Sequence, residues 1–397
     1  MKDVMKGSIT PVLAAVILVT LFGCASAKPA ADIHDELQRL LTGLVERDKS
    51  VKNCVLSVAK GDRSFSWSGA AGSANQRDQV PMTKDTPIYL ASVTKLYTAA
   101  VVMRLCEKQA LSLDDPMSRY LPERLIRGIH VYRGKDYSRE ITVGQLLSNP
   151  SGIADYYDER PKGGQSVFET LLEDPTRPWG ADETIEWARD KLVPHFPPGA
   201  GAFYSDTNFD LLGKIIEAVT GQALHAVYAD LIFRPLGLTH TWLIESSAPQ
   251  TLIPTAPADV FYKDRNITEM RANGVYWPYV VSTAEEMIVF LKALNEGRIV
   301  SSHTLELMHK WHRLHFPFRY GYGTMYFKLP PLATKVTNLL PLWGHSGSTG
   351  SFLYYSDDLD LYMAGTVDQV QSPSKPFGLL AGVMKVVKST SSLHVRD

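Results

Sequence analysis

Charge of one sign is what this chain most plainly lacks. Its 41 Lys and Arg face 42 Asp and Glu, a formal net charge of -1, and no long basic run is present, so nothing marks it for nucleic acid or an anionic lipid surface. No Walker loop or dinucleotide fingerprint occurs, which excludes the usual phosphate cradles, and no Gly-x-Ser-x-Gly elbow opens the α/β-hydrolase route to ester cleavage. Repeats of fixed period are absent, against a solenoid or propeller. No apolar run comfortably reaches bilayer length. What remains, 45% hydrophobic and 21% charged over 397 residues, is enough to bury a full core.

The N-terminus reads as an address. Lys2 and Lys6 precede a short apolar run from Val12 to Phe22, the pattern of a signal peptide. It ends Leu21-Phe22-Gly23-Cys24, which resembles a bacterial lipobox with Cys24 as the lipidated residue; cleavage after Ala25 or Ala27 is the other arrangement that fits. Residues 1–24 are thus expected to be a lipoprotein-type signal and 25–31 a linker, giving an exported protein held to a membrane by a lipid anchor and facing the periplasm or cell exterior. Cys54 and Cys106 then remain, on a predicted strand and a predicted helix, where buried small hydrophobes suit them better than a bond.

Ile33, Leu37, Leu40, Leu41 and Leu44 recur at helical spacing, predicting a helix over Asp32–Glu46. Cys54–Ala59 and Ser64–Ser68 read as two strands around a turn. The middle of the chain shows helices, prolines and turns with little alternation, and strand-like runs return at Gly350–Tyr355 and Leu359–Gly365 before a last helix over Pro376–Val387. The fold class expected is α+β: an antiparallel sheet flanked by helices and formed by both chain ends, residues 32–110 plus 271–390, with a mainly α-helical inserted domain at 111–270 and a tail at 391–397.

Ser-x-x-Lys occurs three times, where chance supplies about one. Ser57 and Lys60 sit in a predicted strand and point to opposite faces. Ser372 and Lys375 precede Pro376 and read as loop. Ser92-Val93-Thr94-Lys95 opens an apolar helical stretch, so its serine and lysine project from one face a turn apart; the plain alternative is a serine that caps the helix.

Two further segments fall in the order a serine hydrolase needs. Tyr204-Ser205-Asp206 precedes a helix from Thr207 to Gly221, and Trp343-Gly344-His345-Ser346-Gly347 precedes a glycine-bounded strand. With Ser92 and Lys95 they resemble the three active-site elements of the serine β-lactamase and penicillin-binding-protein superfamily, Ser-x-x-Lys, Tyr-x-Asn and Lys/His-x-Gly. The likeness is to the branch of class C β-lactamases, D-alanyl-D-alanine carboxypeptidases, D-aminopeptidases and related esterases. It extends to Ile141–Ile153, Pro235–Leu238 and Val281–Ala284.

The resemblance implies acylation of Ser92, with Lys95 or a Tyr204 phenolate taking its proton and the backbone N–H groups of Ser92 and Ser348 holding the oxyanion. Two positions depart from the pattern. Asp206 replaces the usual asparagine and cannot donate to a substrate carbonyl; it is expected to pair with Lys95, favouring Tyr204 as base, or to cap the following helix. His345 replaces a lysine, so a carboxylate anchor there is mostly neutral at pH 7; the other role open to it is a hydrogen bond to Tyr204 or a water. Asp206, His345, Gly347 and Ser348 are the expected substrate-facing residues. The substrate is a small peptide, ester or β-lactam, with D-amino-acid peptidase, carboxypeptidase or carboxylesterase activity favoured over β-lactam hydrolysis. The rival is a silent binding protein for cell-wall peptides or antibiotics. No cofactor is expected, and no metal: His309, His312 and His315 fall at helix-like spacing without a carboxylate. Trp179, Trp277 and Trp311 read as core, Trp277 also as a pocket wall.

Overall fold

A computed structural model describes residues 32–244, 256–273, 279–370 and 372–391. Cys24 with its leader, and Trp277, lie outside the described residues. The first strands are β1 (Asn53–Lys60), β2 (Ser66–Asn75), β3 (Val80–Pro81) and β4 (Ile88–Tyr89), followed much later by β5 (Trp242–Ile244) and β6 (Tyr279–Ser282). Then come β7 (His312–His315), β8 (Phe318–Tyr320), β9 (Met325–Phe327), β10 (Leu342–Ser346), β11 (Phe352–Ser356) and β12 (Leu361–Thr366). Nine of them form one sheet in the order β7-β8-β9-β10-β11-β12-β1-β2-β3, and β4-β6-β5 form a second. All nine pair antiparallel, and the two ends of the chain meet where Val55 of β1 faces Thr366 of β12.

The helices that position the site are α1 (Ile33–Arg47), α2 (Thr94–Glu107), α3 (Val143–Ser148), α4 (Asp206–Thr220), α5 (Ala284–Asn295), α6 (Pro331–Thr337) and α7 (Ser374–Ser391). Side chains alternate across the large sheet as a period of two requires. Leu56, Val58, Phe352, Tyr354, Leu361 and Met363 face Leu37 and Leu41 of α1 and Leu380 and Val383 of α7. Val55, Leu353, Tyr362 and Ala364 face Met287, Phe290 and Leu291 of α5. Each such aliphatic side chain contributes about 1.5–3 kcal/mol by leaving water. Antiparallel sheet, helices on both faces and sheet strands from both ends are the architecture expected.

Helix α2 is the exception to amphipathic design, with 11 of its 14 residues buried. A helix apolar nearly all round belongs in the interior. Lys95 is carried there with it, and a buried ammonium demands a partner.

The other two Ser-x-x-Lys tetrads are accounted for elsewhere. Ser57 Oγ lies 2.6 Å from Ser68 Oγ while Lys60 bonds the Leu359 carbonyl. Lys375 binds the Asp48 carboxylate and Ser50; α7 already starts at Ser374, one residue ahead of Lys375, where a loop was expected. Cys54 and Cys106 are free, and burial pushes each thiol up to about 12. The three histidines do not share a helix: His312 and His315 lie exposed on strand β7, and His309 ends the preceding helix, stacked on Trp311 and edge-on to Trp343. β-Strand pairing with β8 overrides the local spacing there.

Candidate active site

From Ala91 to Ala100 every residue is buried except Ser92. The turn that presents it is held from three sides. Leu90 donates its N–H to the Val280 carbonyl at 2.9 Å, and the carbonyls of Tyr89 and Leu90 accept from the hydroxyls of Thr349 (2.9 Å) and Ser351 (2.7 Å) in the β10–β11 turn. Ala91 takes φ of 45°, in the left-handed region that a residue with a Cβ avoids at a cost of about 1–3 kcal/mol. Ser92 then sits in a short 3-10 turn, Ala91–Val93, leading into α2, and its side chain caps neither element. The capping alternative is therefore not the arrangement adopted.

Gly347 explains how the third motif meets the first. A Cβ there would lie 2.4 Å from the Leu90 carbonyl oxygen and 3.1 Å from Ala91 Cβ, so only glycine lets the β10–β11 turn close on the nucleophile's own turn. Ser348 follows in that turn, next to the residues that hold Tyr89 and Leu90.

One helical turn beyond Ser92, the ammonium of Lys95 donates to Ser92 Oγ at 3.0 Å and forms a short ion pair with Asp206. Lys95 is completely buried; the Asp206 side chain keeps 15% of its surface exposed. The Tyr204 ring stands beside the same ammonium, its centre 5.0 Å from Lys95 Nζ, and its phenol interacts with Ser92. Burial first and the Asp206 carboxylate second push the Tyr204 phenol well above its ordinary value, the Ser92 bond acting the other way. Tyr204 is thus a neutral phenol at neutral pH, and the phenolate expected from sequence is not its resting form.

A loop that the motifs did not single out as functional builds the second motif. Asp155 Oδ1 accepts the N–H of Asp206 at 2.9 Å, capping α4 from another segment, because Ser205 gives no side-chain cap. Asn149, at φ of 73°, accepts from the Ser205 N–H and from Asn208 Nδ2, and Ser151 donates to Asn208 Oδ1. The hydroxyls of Ser205 and Thr207 both bond the Ala154 carbonyl. This is what the 149–155 stretch does: it fixes Tyr204 and Asp206 over Lys95. Burial and the neighbouring Asp206 charge raise Asp155, so the two carboxyls favour a single negative charge between them.

His345 lies on β10 with 0% exposure. Its Nδ1 is 2.7 Å from the Ser346 carbonyl, which can only accept, so Nδ1 carries the proton and Nε2 accepts from the Tyr320 hydroxyl at 3.0 Å. Burial, then the Lys95 charge, push its pKa down to about 3. His345 is thus neutral at neutral pH, and both ring nitrogens are occupied. Its ring is 6.3 Å from that of Tyr204, and Tyr320 takes the partner's place that sequence gave to Tyr204 or a water. Nothing in the motif spacing could announce Tyr320, which reaches His345 across the intervening strand β9.

Comparison with known proteins follows the same lines. The sequence profile described as Beta-lactamase matches residues 37–381. Esterase EstB of Burkholderia gladioli is 30% identical over 247 residues, 61% of this chain and 58% of its own, and a D-aminopeptidase of Brucella anthropi is 30% identical over 194 residues, 49% and 33%. The matches thus span less than two thirds of those relatives' own length. The crystal structure of a D-stereospecific amidohydrolase from Streptomyces sp. superimposes with a TM-score of 0.70 at 26% identity, covering 88% of this chain and 98% of that one.

Proposed function

The chain belongs to the Beta-lactamase family, and from that premise we propose that it is an exported serine hydrolase that cleaves small esters or amides, D-amino-acid amides among them, through an acyl-Ser92 intermediate. The observation that carries this is the buried Lys95 ammonium bridging Ser92 Oγ and the Asp206 carboxylate, with the Tyr204 ring beside it. The esterase and amidohydrolase relatives agree with it.

Because Lys95 donates to Ser92 Oγ, the serine's own proton points to Tyr204. Ser92 Oγ attacks the carbonyl carbon; its proton passes to Tyr204 Oη while the phenol hands its own to the departing oxygen or nitrogen, and the C–O or C–N bond breaks. Lys95 stabilises the developing alkoxide. The N–H groups of Ser92 and Ser348 are assigned to the oxyanion by resemblance. Water repeats the relay in reverse and frees Ser92. Replacing Tyr204 by phenylalanine removes the proton delivery, which a poor leaving group needs and p-nitrophenolate does not. Acylation of Tyr204→Phe is expected to fall about 10³-fold for an amide and about tenfold for a p-nitrophenyl ester; equal losses would remove Tyr204 from the leaving-group side.

Substrate charge is the second test. Lys95 is neutralised by Asp206 and His345 carries no charge, so neither of them offers a free cation to anchor a carboxylate beside the scissile bond. Uncharged esters and amides are expected to exceed a D-alanyl-D-alanine-terminated peptide in kcat/KM by at least about tenfold, and KM for the peptide is expected to stay flat from pH 5 to 8. A protonated His345 that bound the carboxylate would instead make KM rise as pH increased through about 6.5. That rise, or preference for the peptide, would overturn the neutral-substrate reading.

A further inference from the structure

Charge is balanced over the chain but not along it. Residues 307–356 contain no Asp or Glu, where the chain's average would put roughly five, while Lys310, Arg313, Arg319, Lys328 and Lys335 bring five permanent cations. All five are exposed, and none pairs with a carboxylate among the described residues. Arg313 on β7 stands directly opposite Arg319 on β8, a like-charge pair that weakens the ladder unless an anion covers it. β7 is the edge of the nine-stranded sheet.

The same corner exposes apolar surface. Phe316 in the β7–β8 turn is 43% exposed, and Leu332 and Val336, one turn apart on α6, are 76% and 42% exposed. These are three of the seven large apolar side chains exposed among the described residues. The Lys328 N–H reaches the Pro317 carbonyl at 3.4 Å, which ties the turn to the segment entering α6. Leu332 follows Lys328 by four residues, at most about 14 Å of chain. Lys328 and Lys335 therefore share one corner with the apolar tips, whereas Arg313 lines a cleft with Asp114 and Thr142, and Arg319 acts on Tyr326 together with Asp357 and Asp358.

We propose that this corner, the β7–β8 turn with α6, docks on an anionic lipid bilayer, Lys328 and Lys335 meeting headgroup phosphates while Phe316, Leu332 and Val336 enter the interface. A soluble polyanion would use the cations and leave the three apolar side chains wet. A second copy of the chain would set like charge against like. The absence of chain-wide charge excess, which argued against an anionic surface, averages this corner away.

The test is vesicle co-sedimentation of the full chain, reported as the ratio of partitioning onto vesicles with about 30% phosphatidylglycerol to that onto pure phosphatidylcholine, which discounts whatever the apolar N-terminal run does on both. The wild type is expected to give a ratio of at least about ten at low salt, falling towards one in about 0.5 M salt. Lys328→Glu with Lys335→Glu is expected to bring the ratio to one. Phe316→Ser with Leu332→Ser leaves every charge in place and is expected to lower binding to the anionic vesicles at least about fivefold. Circular dichroism and the thermal midpoint serve as fold controls for both variants. A wild-type ratio of one overturns the proposal. Anionic binding that the serine variant leaves intact makes the corner a polyanion site, and a wild-type dimer that the serine variant dissociates makes it a contact between copies; either also overturns it.

Discussion

Ser92→Ala is expected to take no label from a fluorophosphonate probe and to lose at least about 10³-fold in ester hydrolysis, while unfolding at the wild-type temperature. The two halves of that result rest on separate observations. Chemically, Ser92 is the one unburied residue of its segment, and its hydroxyl is the one that receives the Lys95 ammonium at 3.0 Å. Structurally, its side chain caps no helix, and the turn is held by backbone carbonyls of Tyr89 and Leu90 and by Thr349 and Ser351, none of which the substitution touches. A loss of about 1 kcal/mol, the worth of a helix cap, would show that the serine does cap. Stoichiometric labelling of the variant would move the nucleophile elsewhere, and mass spectrometry of the labelled peptide would say where.

What was legible in the sequence was the part encoded locally. Ser92 and Lys95 are three residues apart on a helix, a spacing that fixes their relation without any knowledge of the fold, and strand-like runs at both ends around a helical middle were enough to place both chain ends in one sheet. Residues that act through distant contacts were not legible. Asp155 lies 51 residues from the Asp206 N–H it caps, and Tyr320 is 25 residues from His345. Neither pairing leaves a mark in spacing. The environment of His345 is another such property: a histidine in place of lysine reads as mostly neutral at pH 7, but the 0% exposure and neighbouring ammonium that lower its pKa to about 3 come from the fold. The Ala91 strain is likewise invisible, because alanine carries no sequence signal for φ of 45°.

The Lys95–Asp206 pair should separate stability from catalysis. Lys95 has no exposed side-chain surface and Asp206 has 15%, so Lys95→Met strands the Asp206 carboxylate beside the Asp155 carboxyl. Breaking a buried pair from one side costs about 3–5 kcal/mol; Asp206 keeps some contact with water, which puts the expected loss at about 3 kcal/mol, read as a lower denaturation midpoint. Adding Asp206→Asn removes the stranded charge and keeps the side chain's shape, and the double variant is expected to regain most of that stability, because a buried ion pair replaced on both sides is often close to neutral. Activity should not follow. Met offers Ser92 Oγ no donor, so both the single and the double variant are expected to remain at least about 10³-fold below wild type in acylation. Were Lys95 only a structural cation, repairing the charge would restore turnover along with the fold. A double variant as unstable as Lys95→Met would mean instead that packing around α2, where 11 of 14 residues are buried, and not the unpaired carboxylate, sets the cost of losing the lysine.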